Sequence, residues 1–223
     1  MSQPQRAAIS AIEPGRRRGR FNVFVAGAFA ASVSEATLAQ LRLKVGQEVA
    51  AERLHEITRV EETQRALERA MRLIEIRPRS RREVELRLRA AGYEDDVIAA
   101  AVERLGALGV LDDAAFARQW VESRDRAKPT GARLLRAELA QKGVGRDQID
   151  ATLGRDETDD EGEPARARRA LAERLRRAAI PSDPEERRAL YRKLAGFLQR
   201  RGFDWESTKT ALAERFGRED ADA

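Results

Sequence analysis

Six positions recur three times along this chain at nearly constant internal spacing. Val84, Leu88, Gly92, Tyr93, Ile98 and Val102 are followed 51 residues later by Leu135, Leu139, Gly143, Val144, Ile149 and Leu153. A further 59 residues on stand Leu194, Leu198, Gly202, Phe203, Thr208 and Leu212. Only Thr208 departs from apolar-or-Gly character. The spacing has a physical reading. Two apolar residues one turn apart lie on one face of a helix, the glycine ends that helix in a left-handed cap, and the next residue packs down as an apolar plug. The last pair, again i and i+4, forms the inner face of the following helix. Any helical hairpin reproduces part of this pattern, but six matched positions favour a duplicated unit of about fifty residues. Such units stack on their neighbours.

The fold expectation is therefore mainly α: three tandem three-helix repeats forming an elongated, curved body. In the first repeat (58–111) a helical period runs from Thr58 through Val60, Leu67, Ala70, Met71 and Ile74 to a stop at Pro78. Ser80 is placed as the cap of a second helix reaching Ala91, and a third spans about Asp95 to Leu105. The second repeat (112–154) offers helices at Asp112–Arg126, Arg133–Lys142 and Asp147–Leu153. The stretch 155–164, RDETDDEGEP, is acidic, almost without apolar residues, and reads as a linker. The third repeat (165–217) offers Ala165–Ala179, Pro184–Arg201 and Trp205–Phe216, and 218–223 is a charged tail.

Residues 1–57 have a different rhythm. Ala7–Glu13 is a short strand broken by Pro14-Gly15, and Phe21, Val23 and Val25 alternate along a second strand. Ala26-Gly27 supplies a tight turn, and Ala28–Val33 returns antiparallel. Ser34 then caps a helix carrying Leu38, Leu41 and Leu43, which ends at Gly46. The expected N-terminal extension is a small antiparallel three-stranded unit with one helix.

The chemistry available is limited. No cysteine is present, which removes disulfides, thiol nucleophiles and Cys-based metal sites. The only imidazole, His55, lies between Leu54 and Ile57 and reads as a helix-edge residue. No phosphate-cradling glycine loop and no nucleophile elbow occur. The pairs Asp95-Asp96 and Asp112-Asp113 tempt a magnesium reading, but both stand at helix starts, where a carboxylate satisfies free N–H groups. The expectation is a non-enzyme with no cofactor and no metal. The first residues lack a secretory pattern and no apolar run approaches a bilayer span, so a cytoplasmic, monomeric protein without membrane contact is expected.

What remains is basic charge. The net charge is +5, from 43 cations against 38 anions, so most arginines must be interleaved with acids. Three clusters stand out. Arg16, Arg17, Arg18 and Arg20 lie on the turn before a strand, where they can meet phosphates. Arg124, Arg126, Lys128, Arg133 and Arg136 crowd around a Pro-Thr-Gly connection, diluted by Asp125 and Glu138. Arg82, Arg133 and Arg192 occupy one repeat position, two residues before the first apolar marker. At 100° per residue each points away from the core, predicting a row of three exposed guanidiniums.

The stretch Leu108–Val144 resembles the RecX family of recombination regulators. The residues that carry the likeness are Leu111-Asp112-Asp113, Phe116-Ala117, Val121, Arg124, Gly131, Glu138-Leu139 and Lys142-Gly143. PRSRREVELRLRAAGY (78–93) is similar to the family's opening repeat, and the likeness spans roughly 58–216. The resemblance implies a three-helix-repeat protein that lodges in the groove of the RecA recombinase filament and inhibits or modulates ATP hydrolysis and DNA strand exchange. It places the chain in DNA repair, recombination and the SOS response, with auxiliary contact to single- or double-stranded DNA. A competing reading is a sequence-tolerant DNA-binding protein made of helix-turn-helix-like repeats. Against it, acids interrupt every basic patch.

Overall fold

The computed structural model describes residues 6–154, 162–176 and 180–217. Its N-terminal portion is an antiparallel sheet of strands β1 (Ala7–Pro14), β2 (Arg20–Val25), β3 (Ala28–Ser34) and β4 (Glu48–Val49), in the order β3-β2-β1-β4. The expected three strands become four. Two residues are too few to show an alternation in sequence, and β4 exists because its backbone pairs with Ala7 and Ala8. The β2–β3 hairpin turns as expected. Ala26 and Gly27 both have positive φ (51° and 81°), the mirror-image turn whose twist matches a hairpin, and Val25 pairs with Ala28 across it.

Ser34 caps helix α1 (Glu35–Leu41) by accepting from the Thr37 amide at 3.1 Å. The helix ends at Arg42, itself left-handed at φ 49°, and not at Gly46. Leu43 thus follows the helix but still enters a core with Ile9, Val23, Val33, Val49 and Ile57. Gly46 instead turns the chain into β4, and its N–H donates to the Ile9 carbonyl at 2.8 Å.

Helix α2 (Ala51–Ile76) runs through residues 57 and 58, where the sequence reading put a boundary. No Gly or Pro interrupts this span, so nothing breaks the helix between two cores. Ile57 belongs to the sheet's core, while Ala66 and Ala70 belong to that of α3 (Arg81–Arg89) and α4 (Asp95–Ala107). Then follow α5 (Asp113–Ala127), α6 (Ala132–Gln141), α7 (Arg146–Leu153), α8 (Glu163–Arg174), α9 (Pro184–Arg200) and α10 (Trp205–Phe216). The proposed linker 155–164 is shortened at its end, because Glu163 and Pro164 already form the first turn of α8. A proline costs nothing there, since that turn's N–H groups have no helical acceptor. Residues 155–161 and the tail 218–223 lie outside the described residues. So do 177–179, at the end of the helix expected to reach Ala179.

The repeated positions behave alike. Gly92, Gly143 and Gly202 have φ of 87°, 82° and 85°. In each case the next residue's N–H reaches back to the second apolar marker: Tyr93 to Leu88 (3.3 Å), Val144 to Leu139 (3.1 Å) and Phe203 to Leu198 (3.2 Å). That is a helix end closed by a left-handed glycine and a plug. Val84, Leu135 and Leu194, with the paired residues of the following helices, are buried in three separate cores. Thr208 is fully buried too.

The chain divides into two compact units. One comprises residues 1–79 with 83–111, the other 80–82 with 112–223. Among the described residues no helix is long and apolar enough to cross a membrane.

Candidate functional site

Within the second unit, two helix starts rest on two helix ends in the same register. The Ser80 hydroxyl donates to the Lys142 carbonyl at 2.6 Å, and the Gly131 N–H donates to the Arg201 carbonyl at 3.0 Å. Lys142 and Arg201 each precede a left-handed glycine. The Arg82 stem lies over Gly143, so close that a Cβ there would stand 2.4 Å from Arg82 Cδ. Correspondingly, a Cβ on Gly202 would stand 2.5 Å from Leu134 Cβ, and the Arg133 N–H donates to the Gly202 carbonyl at 3.2 Å. Arg133 Nη2 also donates to the Gln199 carbonyl at 2.7 Å, placing a cation at the negative end of α9.

The predicted arginine row is therefore exposed but not uniform. Arg82 and Arg133 are seam residues as well as surface residues. Arg192 differs because α9 starts at Pro184, well before it, so no helix start occurs at this repeat position. Its side chain is exposed.

The middle patch is largely committed to local pairs. Arg124 grips Glu138 through two bonds, Nε to Oε2 at 2.8 Å and Nη2 to Oε1 at 2.5 Å. It also lies over the Trp120 ring at 5.2 Å. The Trp120 Nε1 donates to the same carboxylate at 2.9 Å, and Lys142 Nζ sits 4.2 Å from that ring. Sequence reading missed this cluster, although Trp120 and Arg124 fall at i and i+4 on one helix. Arg136 faces Asp150 at 3.6 Å and Arg126 faces Glu122 at 3.9 Å. Lys128 is exposed just beyond α5.

At the N-terminal turn, Arg16, Arg17 and Arg18 are exposed, and Arg20 beside them is only partly exposed. It turns inward, pairs with Glu61 and donates to the Ser32 carbonyl. Glu61 is buried and accepts also from the Ser34 N–H (2.7 Å), Thr37 Oγ1 (2.8 Å) and Arg65 Nε (3.0 Å). Burial, the largest single influence, pushes its pKa up, but the bonds from Arg20, Ser34 and Thr37 and the Arg20 charge together hold it below the ordinary value.

The acidic pairs are structural. Asp112 accepts from the Ala114 and Ala115 N–H groups at 2.8 and 3.1 Å, a helix cap, and Asp113 accepts from the Arg81 N–H at 2.8 Å. Asp95 does not cap α4. It binds Arg89 at 2.7 Å, and Glu94 holds the cap position without a side-chain bond. His55 is exposed on α2. A cleft of about 780 Å³ opens between α6, α8, α9 and α10, where Arg133, Arg136 and Arg200 face Glu163, Asp204, Glu206 and the half-exposed Trp205. Its charges balance. Burial raises the pKa of Glu163, as does the neighbouring Asp204 carboxylate, against bonds from the Ala132 and Asp204 amides and the charge of Arg166.

Family models for the first, second and third three-helix domains of RecX match residues 66–105, 112–153 and 165–212. A regulatory protein RecX of Mycolicibacterium vanbaalenii is 41% identical over 67% of this chain and 80% of its own length. The chain belongs to the RecX family. The RecX of Chlorobaculum tepidum is 37% identical over 70% of this chain and 91% of its own. A crystal structure of regulatory protein RecX superposes with a TM-score of 0.75 at 23% identity, covering 92% of this chain and 98% of that one. The three-helix domains alone do not account for such coverage, so the likeness in fold reaches into the strand-bearing residues. The RecX of Lactobacillus salivarius gives a TM-score of 0.56 at 21% identity over 70% of this chain.

Proposed function

We propose that this RecX protein binds the RecA recombinase filament and restrains its DNA-dependent ATP hydrolysis and strand exchange, without catalysing a reaction itself. The observation that carries the reading is the match of three successive RecX domains, whose relatives are named regulatory proteins. Supporting it, exposed arginines of the second unit, among them Arg126, Arg188 and Arg192, are interleaved in sequence with exposed acids such as Glu122, Glu185 and Glu186. Such groups suit carboxylate and phosphate contacts in a groove better than a concentrated base-reading face. Arg192, Arg126 and Lys128 are the proposed contacts there, with Arg82 and Arg133 contributing from the seam.

The test adds the purified protein to RecA on single-stranded DNA and follows ATP hydrolysis and strand exchange. Suppression at near-stoichiometric amounts is expected; unchanged rates at a large excess would end this reading. Arg192→Gln should weaken inhibition about fivefold, the equivalent of about 1 kcal/mol for one charge-assisted contact, with an unchanged melting temperature. The triple variant Arg82→Gln/Arg133→Gln/Arg192→Gln should weaken it up to about a hundredfold, but should also melt a few degrees lower because two of its residues hold the seam. Full inhibition by a folded triple variant would remove the row from the contact surface.

A further inference from the structure

The β1–β2 turn and helix α2 together enclose a recess of about 340 Å³ whose lining includes Arg16, Arg17, Arg20, Arg65, Asn22 and Ser32. Arg20 and Arg65 are held at one side of it. Both bond to the Glu61 carboxylate and both donate to the Ser32 carbonyl. One buried anion thus serves two guanidiniums. Among the described residues no carboxylate pairs with Arg16 or Arg17, so the recess carries four cations against one anion.

We propose that this recess is a phosphodiester-binding site for the backbone of nucleic acid. Its fixed part is preorganised: Arg20 and Arg65 are positioned by a sheet, a helix and a buried acid, so little freedom is lost on binding. Its adjustable part is the turn, whose frame is set by Gly15 N–H to Arg20 O (2.7 Å) and Arg20 N–H to Arg17 O (3.1 Å), leaving the Arg16 and Arg17 side chains exposed. Guanidinium forks match phosphate oxygens, and Asn22 and Ser32 add polar groups. No aromatic lines the recess, so bases are not stacked there and the contact is sequence-tolerant. A lipid headgroup fits less well. The exposed aromatic of this unit, Phe29, follows the Ala26-Gly27 turn at the opposite end of β2, leaving no apolar anchor beside the arginines.

The inference deepens the filament-regulator reading, since such a filament carries DNA, but its test contains no recombinase and so stands or falls separately. Anisotropy of a labelled thymidine 30-mer is measured against salt for the parent and for Arg16→Gln/Arg17→Gln. A charge-matched control, Arg69→Gln/Arg72→Gln, removes two exposed arginines of α2 that do not line the recess. For the recess variant, the slope of log affinity against log salt should become shallower by about 1.4, two contacts at about 0.7 each on single strands, with affinity about tenfold lower at low salt. The control should keep the parent slope, and the melting curves should coincide because the substituted side chains are exposed. Inorganic phosphate should compete only at millimolar concentration, and vesicles containing phosphatidylserine should not distinguish parent from variant. An unchanged slope, an equal loss in the control pair, or a loss seen only with vesicles would overturn the site.

Discussion

Alanine in place of Gly131 is expected to lower the melting temperature by roughly 6–12 °C, the equivalent of about 3 kcal/mol for a chain of this size. Gly131 has φ −74°, so its own backbone would accept alanine without strain. The obstacle is the partner. A Cβ would stand 2.1 Å from the Phe203 nitrogen and 2.2 Å from the Gly202 carbonyl carbon, both backbone atoms that no rotamer change can move. Relief requires the start of α6 to lift from the end of α9, which breaks the Gly131–Arg201 and Arg133–Gly202 bonds. The small gain from restricting the unfolded chain, about 0.4–1 kcal/mol, does not offset this.

Gly92→Ala provides the contrast. It has the same left-handed φ as Gly143 and Gly202 but open space where a Cβ would go, so its cost should be only about 1 kcal/mol. Gly143→Ala should cost more than Gly92→Ala: Arg82 Cδ can swing aside, but Arg82 Cβ, 2.5 Å from the added carbon, moves only with its backbone. A melting temperature for Gly131→Ala within 2 °C of that of Gly92→Ala would show that the seam is not closely packed.

Glu61→Gln should cost about 2–4 kcal/mol at neutral pH. This is somewhat below the usual range for removing one partner of a buried pair, because the Arg20 side chain keeps 20% exposure and can recover some solvation. The substitution keeps the shape of the side chain and removes the charge that Arg20 and Arg65 share. The Ser34 amide and the Thr37 hydroxyl both donate to Oε2, so one retained oxygen can keep both, and the loss falls on the side facing Arg20 and Arg65. The pH dependence has a definite sign. Glu61 titrates below its ordinary value of 4.5 in the folded protein, so its contribution is complete above that value and is lost as pH falls through the lower folded value. Urea denaturation of parent and variant should accordingly differ at pH 7 and converge in strong acid. Glu163, shifted upward, acts in the opposite sense: its contribution is present at low pH and declines as pH rises through its folded value. Parallel stability curves for parent and Glu61→Gln across the acid range would refute the assigned role.

The repeat was legible because its determinants are local. A glycine that must adopt positive φ, the plug that follows it and an apolar pair one turn apart are all encoded within a few residues, and each appears in place. The same holds for the Ala26-Gly27 turn and the Ser34 cap. Boundaries were less legible. A helix continues until something stops it, and nothing between Ala51 and Ile76 does, so α2 serves two cores whose apolar patterns read as separate segments. Strand β4 escaped notice because its existence depends on pairing with residues some forty positions away.

The surface charges divide in the same way. The sequence by itself determined the three-helix repeat, its glycine caps, the strand-rich start, the RecX likeness and the outward direction of Arg82, Arg133 and Arg192. It could not tell an anchored arginine from an open one. Arg20 is tied to Glu61 across 41 residues and Arg133 to the Gln199 carbonyl across 66, and no periodicity connects such partners. Only the tertiary structure decided that Arg20 and Arg124 are held by buried or half-buried carboxylates, that Arg82 and Arg133 cover a seam, and that Arg65 joins Arg16 and Arg17 around one recess. The reason is physical. Direction from a helix axis follows from local geometry, whereas a guanidinium's partner depends on which distant backbone or carboxylate the fold brings within about 3 Å.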